Sequence, residues 1–190
     1  TKLEYIFAVL IFMILIGVFS RYALIVFSRA EQAMISSTVM NLNTALQYHA
    51  ALAVMQGKHS EFELLTEINP IEYLQSAPGI NDLDVKMKNI ASELAAVSIS
   101  YPANYAGEVN VYTIDSMEKG KWYFNQDNRY LIYQLANDEL FSSSVDGESL
   151  IQYKVVLVYQ DKNSNDQYEA SIDQFKTIRL NPVGQYQWNY

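Results

Sequence analysis

Cysteine is absent from these 190 residues, which removes disulfide staples, thiolate nucleophiles and zinc-thiolate sites together. Glycine is sparse, at seven residues, and none precedes a Lys-Ser or Lys-Thr pair, so the chain has no loop built to cradle a phosphate. Positive charge is thin: 13 basic residues stand against 21 acidic ones, for a net charge of −8, with no basic run. A nucleic-acid backbone is repelled by such a chain, and no nucleic-acid partner is expected. Only two histidines occur, His49 and His59, and no Gly-x-Ser-x-Gly pattern accompanies them, which leaves no Ser-His-acid arrangement to assemble. Asp115, Glu118 and Asp127 are isolated acids in turn-like sequence and read as solvated surface groups. The expectation is a protein that binds or builds and is not an enzyme, with no cofactor.

What the chain does have is grease at one end. Tyr5 to Phe27 is apolar except for Arg21, and as a helix it is roughly 34 Å long, enough for a ~30 Å hydrocarbon layer. The apolar core of a secretory leader is shorter, ~7–15 residues, and ends at small residues, so this block reads as an anchor that is kept. Lys2 and Glu4 precede it while Arg21 and Arg29 lie at its far end, so flanking charge leaves the orientation ambiguous. Arg21 is expected to snorkel to the interface. Glu4 is favoured by the positive end of the helix dipole and is solvated while it sits at the interface. Drawn into a bundle of identical helices, it would have to find a cation, such as a neighbour's terminal amine, and that pairing would set the register. Residues 1–30 are thus set apart from a head spanning 31–190.

From Glu31 to Gln56 there is no proline or glycine, and Ile35, Val39, Leu42, Leu46, His49 or Ala50, and Ala53 recur at spacings of three and four. This predicts one continuous helix of about 50 residues, uniformly apolar in its first half and amphipathic in its second, stopped by Gly57. His49 reads as a stripe or surface residue, not a metal ligand. Ser60 with Glu63 suggests a capping box and a short helix, and Asn69-Pro70 a second start, closed at Pro78-Gly79. Residues 80–100 suit a weak helix or loop.

Beyond Tyr101 the period changes. Segments 120–124, 130–134, 150–159 and 175–180 are rich in aromatic and β-branched residues and predict an antiparallel sheet packed on the helix stripe. Residues 125–128 read as a hairpin turn and 161–166 as a longer one. Within the latter, Asp161, Asn163 and Asn165 alternate as a calcium loop begins, but Asp166 and Ile172 stand where glycine and glutamate are required. A polar hairpin is the expected reading and calcium the alternative.

The apolar first half with Glu4 near its start, the amphipathic continuation and the α+β head together resemble type IV pilins and the pseudopilins of type II secretion. Within that group, segments 69–74, 102–108, 120–124 and 131–134 are similar to minor pilin-like proteins of the mannose-sensitive haemagglutinin pilus system. The resemblance implies a pilin-like fold and insertion in the bacterial inner membrane, single pass with the head in the periplasm. It further implies processing by a prepilin peptidase and lifting by an inner-membrane assembly platform into an extracellular filament of pilin subunits. Glu4 matches the family glutamate, though three residues precede it here and four in the family, so either the numbering begins one residue late or Thr1 is not the processed terminus. Tyr5, Ile6, Phe7, Leu10, Ile14, Gly17, Phe19 and Arg21 then form the membrane and filament-core segment, and Ile35, Val39, Leu42, Leu46 and Ala53 the helix-to-head packing. Many pilins carry a proline just after the membrane half; Arg21 and Tyr22 stand there instead, which predicts a straighter helix. Some pseudopilins hold a calcium-stabilised loop. The reading from another class is a single-pass envelope sensor or scaffold whose head binds a ligand or partner.

Overall fold

A computed structural model describes residues 2–59, 62–74, 102–110, 116–144 and 149–190. One helix dominates them. Helix α1 runs unbroken from Lys2 to Met55, 54 residues or about 81 Å at the usual rise. Its only interior glycine is Gly17, and it contains no proline. Thr38 and Thr44 donate their hydroxyls back to the Met34 and Met40 carbonyls, so both are satisfied within the helix.

The helix stops where the sequence predicts, and the geometry shows how. Gly57 adopts φ +69°, its N–H bonds the Val54 carbonyl, and the Lys58 N–H bonds the Ala53 carbonyl. That pair of bonds is a Schellman closure, satisfying carbonyls that the last turn would otherwise leave open.

Among the described residues there are seven strands: β1 (Tyr105–Val109), β2 (Lys121–Asn125), β3 (Tyr130–Gln134), β4 (Phe141–Ser143), β5 (Leu150–Gln160), β6 (Gln174–Pro182) and β7 (Tyr186–Trp188). Five form a sheet in the order β1-β2-β3-β5-β6, and β4 pairs with β7 in a separate two-stranded sheet. The expected hairpins are present, β2–β3 over residues 126–129 and β5–β6 over residues 161–173. At the first turn the Asn125 side chain accepts the Asp127 N–H at 2.9 Å and Arg129 takes a left-handed φ of 61°. The expectation of a purely antiparallel sheet is corrected: β1 pairs with β2 in parallel. Such pairing needs a connection that returns to the starting end, and residues 110–120 lie between the two strands. Strands β4 and β7, three residues each, are too short to show an alternation in the sequence, and β1, Tyr-Ala-Gly-Glu-Val, has few of the β-branched and aromatic residues that mark a strand.

Sheet pleating sends alternate residues to opposite faces. Trp122, Leu131, Tyr133, Ile151, Ile178 and Leu180 join Ile35, Leu42, Ala45, Leu46, Ala50 and Ala53 of α1 in the main core. Tyr123, Ile132 and Leu150 gather with Met117 on the other face. Val39, placed in the stripe from sequence, is half-buried against the main core, and Ala45, not anticipated, is buried in it. His49 lies at the stripe's edge, 4.9 Å between ring centroids from Tyr73.

The middle segment is simpler than expected. Helix α2 is the single turn Leu64–Glu67, preceded by Glu63 with no side-chain cap, and the expected capping box involves Ser60, which lies outside the described residues. Asn69 does cap the next element, accepting the Ile71 N–H at 3.1 Å, but that element, Pro70–Leu74, is a 3-10 helix. The stop at Pro78-Gly79 and the reading of residues 80–100 fall outside the described residues.

Leu46 is fully buried between helix and sheet. Leu46→Ala is expected to cost about 2–5 kcal/mol, measured as a lowered unfolding midpoint in mild detergent. A second outcome concerns pH. Burial holds the His49 imidazole below its ordinary 6.5, with a backbone hydrogen bond at Tyr73 opposing. On acidification the unfolded chain takes this proton first, so His49 costs no stability above 6.5 and an increasing amount as the pH falls toward its lowered folded value. The thermal midpoint should fall as the pH drops below 6.5, and His49→Gln should flatten that fall.

Candidate functional site: an exposed apolar rod and its junction with the head

The residues most distinctive of this chain do not line a pocket. An 18-residue window of α1 has a mean hydropathy of 2.5 and is 0% buried, so the helix is long and apolar enough to cross a membrane. Tyr5, Ile6, Phe7, Leu10, Ile14 and Phe19 all project outward, Phe19 at 71% of its full exposure. Gly17 leaves a notch, since a Cβ built there meets nothing within 4 Å. Glu4 is exposed in the first turn, and Arg21 is exposed at the far side of the apolar run. Tyr5, Ile6, Val9, Leu10, Met13 and Ile14 border a shallow groove along one side of the rod, with no charged group in it.

Ala23, Leu24 and Ile25 are half-buried, and Ser28, 0% exposed, is the first fully buried residue of the helix. One turn later comes the contact that sequence reading missed. Glu31 is only 6% exposed, and its carboxylate accepts four hydrogen bonds from the head. Oε1 takes the Tyr133 hydroxyl at 3.0 Å and the Ala136 N–H at 2.6 Å; Oε2 takes the Asn137 N–H at 3.0 Å and the Asn137 side-chain amide at 3.1 Å. Burial, then the neighbouring Glu31 charge, push the Tyr133 hydroxyl well above the usual phenol range, so it stays protonated and donating. A buried carboxylate is tolerable when its lone pairs are filled in this way. The signal was available: Glu31 lies four residues before Ile35, on the stripe, where an acid has no reason to be unless it is bonded.

Further along, Asn43 accepts the Leu180 N–H of β6 at 2.7 Å, and Phe62 stacks on Phe175 with centroids 4.2 Å apart. The head is thereby tied to α1 at Glu31 and Asn43, and β6 to the segment after the helix at Phe62. Beside these ties, Ser36, Met40, Asn43, Thr44 and Gln47 border a groove of about 450 Å³ with Tyr153. Burial pushes the Tyr153 hydroxyl up to about 12, so the groove presents uncharged polar groups at neutral pH.

The 161–173 loop turns its polar groups on itself. Asp161 accepts the N–H groups of Asn163, Ser164 and Asp166, at 3.1, 2.6 and 2.9 Å, which hold its carboxyl below the ordinary range. The side-chain amides of Asn163 and Asn165 both donate to Glu169, and Asp173 accepts the Lys162 and Glu169 N–H groups. Among the described residues no group of three or more His, Cys, Asp or Glu is placed to hold a metal ion.

No family model matches the chain, and neither a curated protein nor a solved structure matches it. What the chain is rests on its own geometry: an α+β protein with a long N-terminal apolar helix and a mixed sheet.

Removing the Glu31 acceptor strands the Tyr133 hydroxyl and two backbone N–H groups. Glu31→Ala should cost about 3–5 kcal/mol in denaturant unfolding and expose the Ala136 and Asn137 amides to hydrogen exchange. Glu31→Gln, which keeps one acceptor oxygen, should cost less.

Proposed function

We propose that this chain is a structural minor pilin or pseudopilin, a subunit of a type IV pilus or type II secretion-like filament, with no catalytic role. The observation that carries the reading is the division of one continuous helix: bare and apolar from Leu3 to Phe19, packed under a sheet from Ser28 onward. A membrane anchor alone needs ~20 apolar residues and no rigid continuation. Here the rod and the head are one body, so any force or rotation on the rod is passed to the head without a hinge. That is what a subunit lifted out of lipid into a helical filament requires.

In this reading the rod sits in the bacterial inner membrane with the head in the periplasm, and on assembly exchanges acyl chains for the rods of other subunits. Gly17 supports that exchange, because a missing side chain lets a neighbouring backbone approach closely. Glu4 supplies the register: solvated at the interface, it is desolvated in the bundle and pairs with a cation of the next protomer. Arg21 holds the interface until extraction. An assembly platform and a prepilin peptidase are the expected partners, and the resemblance to minor pilins of the haemagglutinin pilus points to a low-abundance subunit.

Shearing cells that assemble the filament tests the reading. The chain should appear in the sheared filament fraction, and Glu4→Lys should vanish from that fraction while its membrane level holds, since a mismatched buried charge costs about 3 kcal/mol or more per contact. Recovery wholly in membranes would sink it in favour of a single-pass sensor or scaffold. Polymerisation of Glu4→Lys at the parental level would remove the role of Glu4.

A further inference from the structure

At the edge of the main core lies an aromatic cluster carried by the smaller sheet. Strands β4 and β7 form a small sheet whose rings run in a ladder: Phe141 stacks on Tyr186 at 5.9 Å between centroids and meets Trp188 edge-on at 5.2 Å, and Trp188 stacks on Tyr190 at 6.3 Å. The ladder ends on α1. The Arg29 guanidinium lies 4.9 Å from the centre of the Tyr190 ring, and the Tyr190 hydroxyl donates to the Gln32 side chain at 2.7 Å. Phe141, Tyr186 and Trp188 are only partly buried, and Tyr190 is exposed.

The position on the rod matters. A ~30 Å hydrocarbon layer entered near Tyr5 takes ~20 residues and ends near Leu24. Arg29 is five residues further, ~7.5 Å up the axis, and the headgroup layer on each side of a bilayer is ~5–7 Å deep. Arg29 and the Tyr190 ring beside it therefore lie at the outer edge of the headgroup layer, and helical side chains lean toward the N-terminus, so the Arg29 guanidinium is directed back toward it. Rings with one apolar body and one polar tip are the side chains that favour this layer. Tyr22 is exposed on the rod just below, and Arg21 has no ion pair among the described residues. Glu139 is exposed in the adjoining turn, so this end of the head carries both signs of charge, as a zwitterionic headgroup does.

We propose that the β4–β7 sheet is a membrane-resting foot, in which Trp188 and Tyr190, with Arg29, Tyr22 and Arg21, seat the head in the phosphate layer of a zwitterionic phospholipid bilayer. The proposal rests on the membrane reading of the rod. The head is then seated on the lipid, and leaving the membrane breaks the foot's contacts as well as the rod's.

The two tryptophans make this measurable. Trp122 is 0% exposed in the core and out of reach of a contact quencher, so lipid-dependent quenching reports Trp188. The full chain is reconstituted in phosphatidylcholine vesicles carrying a spin label either near the headgroup or deep in the acyl chain. The shallow label should quench parental emission more than the deep label does, and Trp188→Phe should lose that quenching while keeping the circular dichroism of the parent. Phe12→Trp in the Trp188→Phe background reads the rod, and should be quenched most by the deep label. A quenched rod probe with parental emission no more quenched than Trp188→Phe overturns the foot and leaves the anchor standing. An unquenched rod probe overturns the membrane reading and the foot together.

Discussion

A helix whose first half has no protein around it must have its apolar side chains taken out of water by something else. At roughly 25 cal/mol per Å² of buried apolar surface, an uncovered run of Leu, Ile, Phe and Val is far too costly to leave in solvent. Every other feature answers to that demand. The second half of the same helix is covered by its own sheet, and the changeover takes place over about two turns, from the half-buried Ala23–Ile25 to the buried Ser28 and Glu31. Two solvents meet along one rod, and the chain is built around the boundary between them.

The Glu31 contact belongs at that boundary. Apolar packing alone does not fix how far a sheet slides along a helix, because one Leu or Ile fits a neighbouring groove nearly as well as another. A carboxylate with four donors from Tyr133, Ala136 and Asn137 has a single position. It sets the height of the head above the end of the rod, the Asn43 contact keeps the sheet aligned with the helix beyond it, and the Phe62 stack ties the segment after the helix to β6.

The rod, its amphipathic continuation, the Gly57 stop and the two hairpins were legible in sequence because each depends on local pattern. Apolar length, a three-and-four spacing, a residue tolerant of positive φ and clusters of Asn and Asp at turns act over a few residues. The parallel partnership of β1 with β2 was not legible, since strand direction is decided by the connection and not by the strand. The β4–β7 sheet was hidden for a related reason: it joins residues 141–143 to 186–188, each strand too short to show a period. At the candidate site, the exposed rod residues were readable from composition, whereas Glu31 looks like an ordinary helical surface acid. Its partners lie more than a hundred residues away, and only its place on the Ile35 face betrays it.

Asn43 carries a last consequence. Strand β6 is the outermost strand of its sheet, and an open edge invites another chain to zip onto it. Helix α1 packs along β6, and Asn43 accepts the Leu180 N–H, a donor that would otherwise be offered to a stranger. An uncharged amide on the helix thus closes one route to amyloid-like addition. Under the reading proposed for the rod, association of this side of the molecule is steered toward helix against helix, where it stays ordered and reversible.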